Sequence, residues 1–175
     1  LQWCDDLDGV FSEFRRVLRQ DGLLMFTTFG PDTLKELKQA WQVADADYEH
    51  VNNFIDMHDV GDALIRAGFG QPVMDMEIFT LTYDKPIGVL RDLKAIGATN
   101  ATQKRNSGLM GKQRFAQMLN AYEELKNPID NKIPATYEVV HGHAWAAQEI
   151  FKGPNRDKSG HVEISLDEFS KQLKK

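Results

Sequence analysis

The stretch DGVFSEFRRVLRQDGLLMFTTFG, residues 8 to 30, decides the fold. Val10, Phe11, Phe14, Val17 and Leu18 fall at the i, i+3, i+4, i+7 spacing of a helix with one buried face, and Asp8 is placed as its N-cap. Asp21-Gly22 ends that helix. GLLMFTTFG is then a nearly continuous apolar run between glycines, which predicts a strand buried on both faces of a sheet. Helix, turn and strand in this order form a unit of an α/β protein.

Working outward, Pro31 near the start of Asp32 to Val43 and Leu34, Leu37 and Trp41 along one side predict a second helix. Residues 44 to 53 are polar and read as loop. A helix from Asp59 to Ala67 keeps Val60, Ala63, Leu64 and Ala67 in register and stops at Gly68. A strand over 73–83 follows, then a helix from Pro86 to Lys94 that breaks at GATNA into a polar loop. Lys112 to Asn127 is the clearest helix, because Phe115, Met118, Leu119 and Tyr122 hold helical spacing. The last strand, 135–145, places Tyr137, Val139, His141, His143 and Trp145 on one face. Beyond Gly153 the composition turns polar, so the chain divides into a domain, 1–152, and a loosely attached tail, 153–175.

The 175 residues are 42% hydrophobic and 27% charged, as expected of one folded domain. A formal charge of -5 gives no global reason to expect nucleic acid. Cys4 has no partner for an internal disulfide, and no apolar run approaches the roughly 20 residues that cross a bilayer. A cytoplasmic protein without a membrane partner is expected. The chain starts LQWCDDLDGV, without Met, and reads as the middle of something longer.

Three motif-like features weaken on inspection. NRDKSGHVEISL imitates a calcium loop, but Leu166 stands at the twelfth position, where a bidentate carboxylate is needed. His141 and His143 point to one side of a strand, yet no third ligand stands at zinc spacing, so packed, hydrogen-bonded histidines are expected and no metal. Gly68-Phe69-Gly70 lies between a helix and a strand, the reverse of a dinucleotide-binding loop. No self-sufficient catalytic motif is present. What remains is a basic segment: Arg91 and Lys94, one turn apart, followed by Lys104, Arg105, Lys112 and Arg114. On composition alone, a solvated helix surface and an anion site stand level there.

FSEFRRVLRQDGLLMFTTFG is similar to the helix before the fifth strand, and that strand, of class I S-adenosylmethionine methyltransferases. With LQWCDDLDGVF, PDTLKELKQAW, LRDLKAIGATNA and TYEVVHGHAW, the chain resembles the C-terminal half of the malonyl-acyl-carrier-protein O-methyltransferase family of biotin synthesis, from about Leu1 to Trp145. LKAIGATNA is the most specific piece. The resemblance implies the C-terminal portion of a Rossmann-like methyltransferase fold: a small mixed sheet with strands near 22–30, 73–83 and 135–145, the last antiparallel between the other two. It implies methylation of the free carboxylate of malonyl-acyl carrier protein, with S-adenosylmethionine as donor.

Within the matched motifs, Arg91 and Lys94 are candidates for the substrate carboxylate or the carrier's acidic surface or phosphate, with Gly97, Thr99 and Asn100 near the thioester or pantetheine. Gln2 and Trp3 are candidates for donor contact. No residue is assigned as a catalytic acid or base. The glycine loop and the ribose-binding acid of the family are not in this sequence, which implies an incomplete, inactive portion. The bare edge of the 22–30 strand implies self-association. Two other readings remain: a non-catalytic module that binds acyl carrier protein or a partner subunit, and a methyltransferase half with another small-molecule acceptor.

Overall fold

A computed structural model describes residues 1–4, 6–98, 100, 108 and 111–147. The elements run α1 (Leu7–Val17), β1 (Leu23–Phe29), α2 (Lys35–Ala44), α3 (Met57–Arg66), β2 (Gly70–Tyr83), α4 (Pro86–Ala95), α5 (Lys112–Glu123) and β3 (Ile133–Trp145). Thr99, Lys104, Arg105 and the tail with its calcium-like loop lie outside the described residues.

The three strands form one sheet in the order β1-β3-β2. β3 is antiparallel to both neighbours: Leu23 pairs with Trp145 on one side, and Tyr83 with Ile133 on the other. β1 and β2 therefore run parallel to each other without touching, with the last strand inserted between them as the family resemblance implies. This is the α/β arrangement of the C-terminal portion of a class I methyltransferase. A register shift between Gly70 and Val73 marks the start of β2.

α1 begins two residues earlier than its apolar spacing indicates, because Asp6 rather than Asp8 is the cap. The Asp6 carboxylate accepts the Gly9 N–H at 2.9 Å. Asp8 instead lies in the first turn, where negative charge suits the helix dipole, and accepts from Arg66 Nε at 3.0 Å. α1 and α3 cover one face of the sheet. Phe11, fully buried, sets its ring 5.5 Å from Phe26 and 6.5 Å from Phe69, with Val60, Leu64 and Ala144 around it. Arg15 closes this side by donating to the carbonyls of Gly68 and Ala147.

β1 is not buried on both faces. Leu24, Phe26 and Thr28 turn toward α1 and α3, whereas Leu23 and Met25 are 40% and 71% exposed on the other side. No described element covers that side at this end of the sheet. His141 and His143 pair with Thr27 and Met25 on that open face; His141 is exposed rather than packed, and His143 is half-buried. The far end of the same face is covered: α2, α4 and α5 bury Leu37, Trp41, Val89, Met118, Tyr122 and Ala135 in a second core.

α2 starts at Lys35 rather than Asp32, for a reason on β3. β1 ends at Phe29, and the turn that follows takes over the hydrogen bonds β1 would have made. Leu34, at φ 56°, donates its N–H to the Thr136 carbonyl at 2.6 Å. The Thr33 hydroxyl donates to the Glu138 carbonyl and accepts the Glu138 N–H, both at 3.1 Å. The Glu138 carboxylate in turn accepts the Asp32 N–H at 2.7 Å, and Glu36 accepts both the N–H and the hydroxyl of Thr136. The left-handed backbone of Leu34 that makes this contact cannot be part of a right-handed helix, so the helix starts only after it. Gly68 stops α3 at φ 83° as its position suggests.

Candidate functional site

The polar latch at residues 30–36 fixes one wall of a groove of about 120 Å³. Thr33, Leu34 and Leu37 form that wall, Phe29 and Tyr137 the floor, and Gln2 and Trp3 one rim. Opposite stand His50, Val51, Asn52 and Phe54 of the loop between α2 and α3, with Leu93, Ile96, Ala98 and Asn100 from the end of α4 and beyond. Aromatic edges stiffen the floor: Phe29 lies 5.5 Å from Phe54 and 6.1 Å from Tyr137, centroid to centroid. Burial pushes the Tyr137 phenol above the usual tyrosine range, with Asp92 adding to it. Next to the groove lies a second cavity of about 240 Å³, which shares Gln2, Phe29 and Phe54 with it and extends past Leu1, Cys4 and Thr28.

Residues singled out from widely separated parts of the sequence therefore meet. Gln2 and Trp3 line the same groove as Asn100, whose Nδ2 donates to the Glu49 carbonyl at 2.6 Å and joins the segment after α4 to the loop after α2. Gly97 is exposed between the lining residues Ile96 and Ala98. Its φ of 72° explains the glycine, and an added Cβ would meet nothing within 4 Å. Arg91 and Lys94 are not in the lining. Both are exposed on α4, and it is Leu93 that α4 turns into the groove.

One part of the site has no signal in the sequence spacing. Asp45, the residue after α2, is buried, and its Oδ2 lies 3.0 Å from His50 Nε2 while its Oδ1 accepts from Arg114 Nη1 at 3.3 Å. His50 is stacked on Trp41, with centroids 3.9 Å apart and planes 14° apart. Asp45 and His50 stand in a stretch that reads simply as polar loop. Only the rarity of a fully buried Asp could have drawn attention to it, and burial is not visible in sequence. Lys38, half-buried on α2, donates to the Pro31 carbonyl at 3.0 Å and sits 5.5 Å from the Phe54 ring. Burial lowers its pKa, partly opposed by Asp32 and Glu138.

Among the described residues no helix is long and apolar enough to cross a membrane, and no group of three or more His, Cys, Asp or Glu side chains is placed to hold a metal. Chemically the groove is an apolar slot edged by amides and one imidazole. It is suited to exclude water from, and orient, a thin acyl chain with a polar end.

No family model matches the chain. Individual relatives do. A protein of Nitrosospira multiformis named malonyl-acyl-carrier-protein O-methyltransferase is 60% identical over 145 residues, covering 83% of this chain and 46% of the relative. Proteins of the same name from Gallionella capsiferriformans and Halorhodospira halophila are 59% and 50% identical, each across 95% of this chain and 55% of the relative. The chain thus spans about half the length of the curated relatives it matches. Among solved structures, the YcgJ protein of Bacillus subtilis superposes with a TM-score of 0.51 at 11% identity, covering 85% of this chain and 61% of that one, a likeness of fold. By sequence, the chain is a relative of the malonyl-acyl-carrier-protein O-methyltransferases.

Proposed function

We propose that this chain forms the acceptor side of an S-adenosylmethionine-dependent O-methyltransferase that esterifies the free carboxylate of malonyl-acyl carrier protein in biotin synthesis, and that alone it is incomplete and inactive. The observation that carries this reading is the groove. It joins Gln2 and Trp3 at one rim to Ala98 and Asn100 at the other, in a chain about 60% identical to enzymes of that name.

The chemistry asks little of the protein in proton transfer. A carboxylate with a pKa near about 4 is already ionised at neutral pH and needs no general base. Bound S-adenosylmethionine supplies an electrophilic methyl group. The lining fits such a group in character: Phe29 and Phe54 offer flat apolar surface and Gln2 a hydrogen-bonding amide. In this reading Gln2 and Trp3 hold the donor's edge. The apolar walls Leu34, Leu37 and Leu93 keep water from the carboxylate, and Gly97, Thr99 and Asn100 hold the thioester or pantetheine. In this reading Arg91 and Lys94, exposed outside the groove, meet the carrier protein's acidic surface or phosphate. The carboxylate charge disappears as the oxygen–methyl bond forms, so no proton has to be moved.

The test is methyl-ester formation on malonyl-acyl carrier protein. It is measured by mass spectrometry with a polypeptide carrying this chain plus the remaining length its relatives have, against free malonate and other small acids as competing acceptors. The expected result is ester on the carrier-bound malonyl group and none from this chain alone. Esterification of a free acid in preference would replace the acceptor. We also propose self-association of this chain through the outer edge of β1, which has no partner strand among the described residues. Sedimentation velocity at high concentration should show species larger than a monomer, and a clean monomer counts against it.

A further inference from the structure

Among the described residues that line the groove, His50 is the one side chain able to carry a positive charge. It is held from three directions. Nε2 lies 3.0 Å from Asp45 Oδ2, one ring face is stacked on Trp41, and Asp45 itself is fixed by Arg114 Nη1 at 3.3 Å and by its own N–H, which donates to the Trp41 carbonyl at 2.7 Å. The side chains of Asp45 and His50 are 3% and 7% exposed. An imidazole pinned in this way cannot turn, which leaves Nδ1 as its remaining polar edge. No described residue bonds Nδ1, and among the described residues no buried side-chain nitrogen or oxygen is left without a partner, so Nδ1 is not sealed inside the protein.

We propose that His50, clamped by Asp45, reads the acceptor's carboxylate inside the groove by donating a hydrogen bond from Nδ1. The proposal rests on the methyl-transfer reading above and names the group that selects the acid there. With the ring protonated, His50, Asp45 and Arg114 together carry a single positive charge, which matches one carboxylate. A neutral methyl ester loses that attraction, so the same contact that admits the acid helps release the product. A grip through one N–H also leaves the second carboxylate oxygen unbound and nucleophilic, which a bidentate guanidinium would not. Lys38 is the nearest competitor, but its Nζ is committed to the Pro31 carbonyl and it does not line the groove. Asp45 is a positioning residue that acts through His50.

The test titrates malonyl-pantetheine, and separately its methyl ester, into the chain and into His50→Ala, His50→Gln and Asp45→Asn. Affinity and the His50 ring-nitrogen resonances are followed by NMR. The unaltered chain should prefer the acid by about tenfold, or about 1.4 kcal/mol. Adding the acid, but not the ester, should move the Nδ1 signal. His50→Gln, which keeps a neutral donor, should bind acid and ester alike, and so should His50→Ala. Asp45→Asn should weaken the preference. A preference that survives in both His50 variants, or that is missing from the unaltered chain for every acid tried, overturns the proposal. If acetate or succinyl-pantetheine is preferred over the malonyl probe in a His50-dependent way, the malonyl reading fails while the role of His50 stands. Should His50→Ala melt early by circular dichroism, His50→Gln decides alone.

Discussion

The two cores of this molecule are built on different principles. Under α1 and α3 the packing is apolar: Phe11, Phe69, Leu64 and Val60 close over Ala144. Under α2, α4 and α5, Leu37, Trp41, Met118 and Tyr122 are interleaved with polar groups. Glu36 binds β3 main chain, Asp45 binds His50 and Arg114, and the Tyr122 hydroxyl donates to the Pro134 carbonyl at 2.8 Å. Burying a carboxylate is unfavourable unless every bond is made, so a core meant only for stability would resemble the first. The second core borders the groove, and its polar groups set positions there. One core holds the sheet together, and the other places side chains.

The strongest way to break this contrast is to cut a large side chain from the apolar core. Phe11→Ala should lower unfolding free energy by about 3–5 kcal/mol in urea titrations, because a fully buried ring leaves a cavity. The NMR signals of Val51 and Leu93 in the groove should stay where they are in the folded fraction. If they shift as far as those around Phe26, the two cores are not separate.

Asp45→Ala asks the converse question. It leaves His50 Nε2 and Arg114 without their acceptor and should cost about 1–3 kcal/mol. Unlike Phe11→Ala, it should change Trp41 fluorescence in the folded state, since the His50 ring stacked on the indole is released. Gly142→Ala tests close packing between β3 and β1: a Cβ there would stand 2.3 Å from Phe26 Cζ, so the ring must move. A loss of about 1–3 kcal/mol is expected, read as a lowered melting temperature.

Removing a cap is a smaller perturbation of the apolar side. Asp6→Ala frees the Gly9 N–H and should cost about 1 kcal/mol, while Asp8→Ala, inside the helix, should cost less. The smallest effect is a pH dependence on the polar side. Burial, with help from Asp92, pushes the Tyr83 phenol up to about 12, above the roughly 10 of an unfolded tyrosine. The neutral form is thus favoured in the fold. Its contribution is fully present below pH about 10 and is lost as pH rises through about 12. Ultraviolet titration should show this phenol ionising late, and Tyr83→Phe should flatten that limb of the stability profile.

How much of this was legible in sequence follows the same division. The apolar side obeys periodicity: Phe11 and Phe14 on α1, Val60, Ala63 and Leu64 on α3, and the run that became β1 all announce their elements. The misreadings there are of neighbourhood, not type. Asp6 rather than Asp8 caps α1, because capping depends on where the chain enters the helix. Met25 is exposed, because an apolar run cannot say whether a second layer exists to cover it. On the polar side, spacing carries little. The delayed start of α2 depends on Thr136 and Glu138, a hundred residues away in the chain, and the Asp45–His50–Arg114 cluster joins a loop to α5. The family resemblance placed Gln2, Trp3 and Asn100 near function, and the fold brings those three into one groove. It also pointed to Arg91 and Lys94, which the fold leaves outside the lining.

The strand order has a consequence for the order of events during synthesis. Among the described residues β1 and β2 touch only through β3, so the pairing of Leu23 with Trp145 waits until the end of β3 has been made. Until then the ribosome holds two apolar ribbons with no strand between them. Sheet formation is therefore a late and non-local step, slow by topology and exposed to misassociation while it is pending. A chain stopped before Ile133 should keep its helical segments and lack the link between β1 and β2, so β3 acts as the bolt that joins the two halves of this sheet.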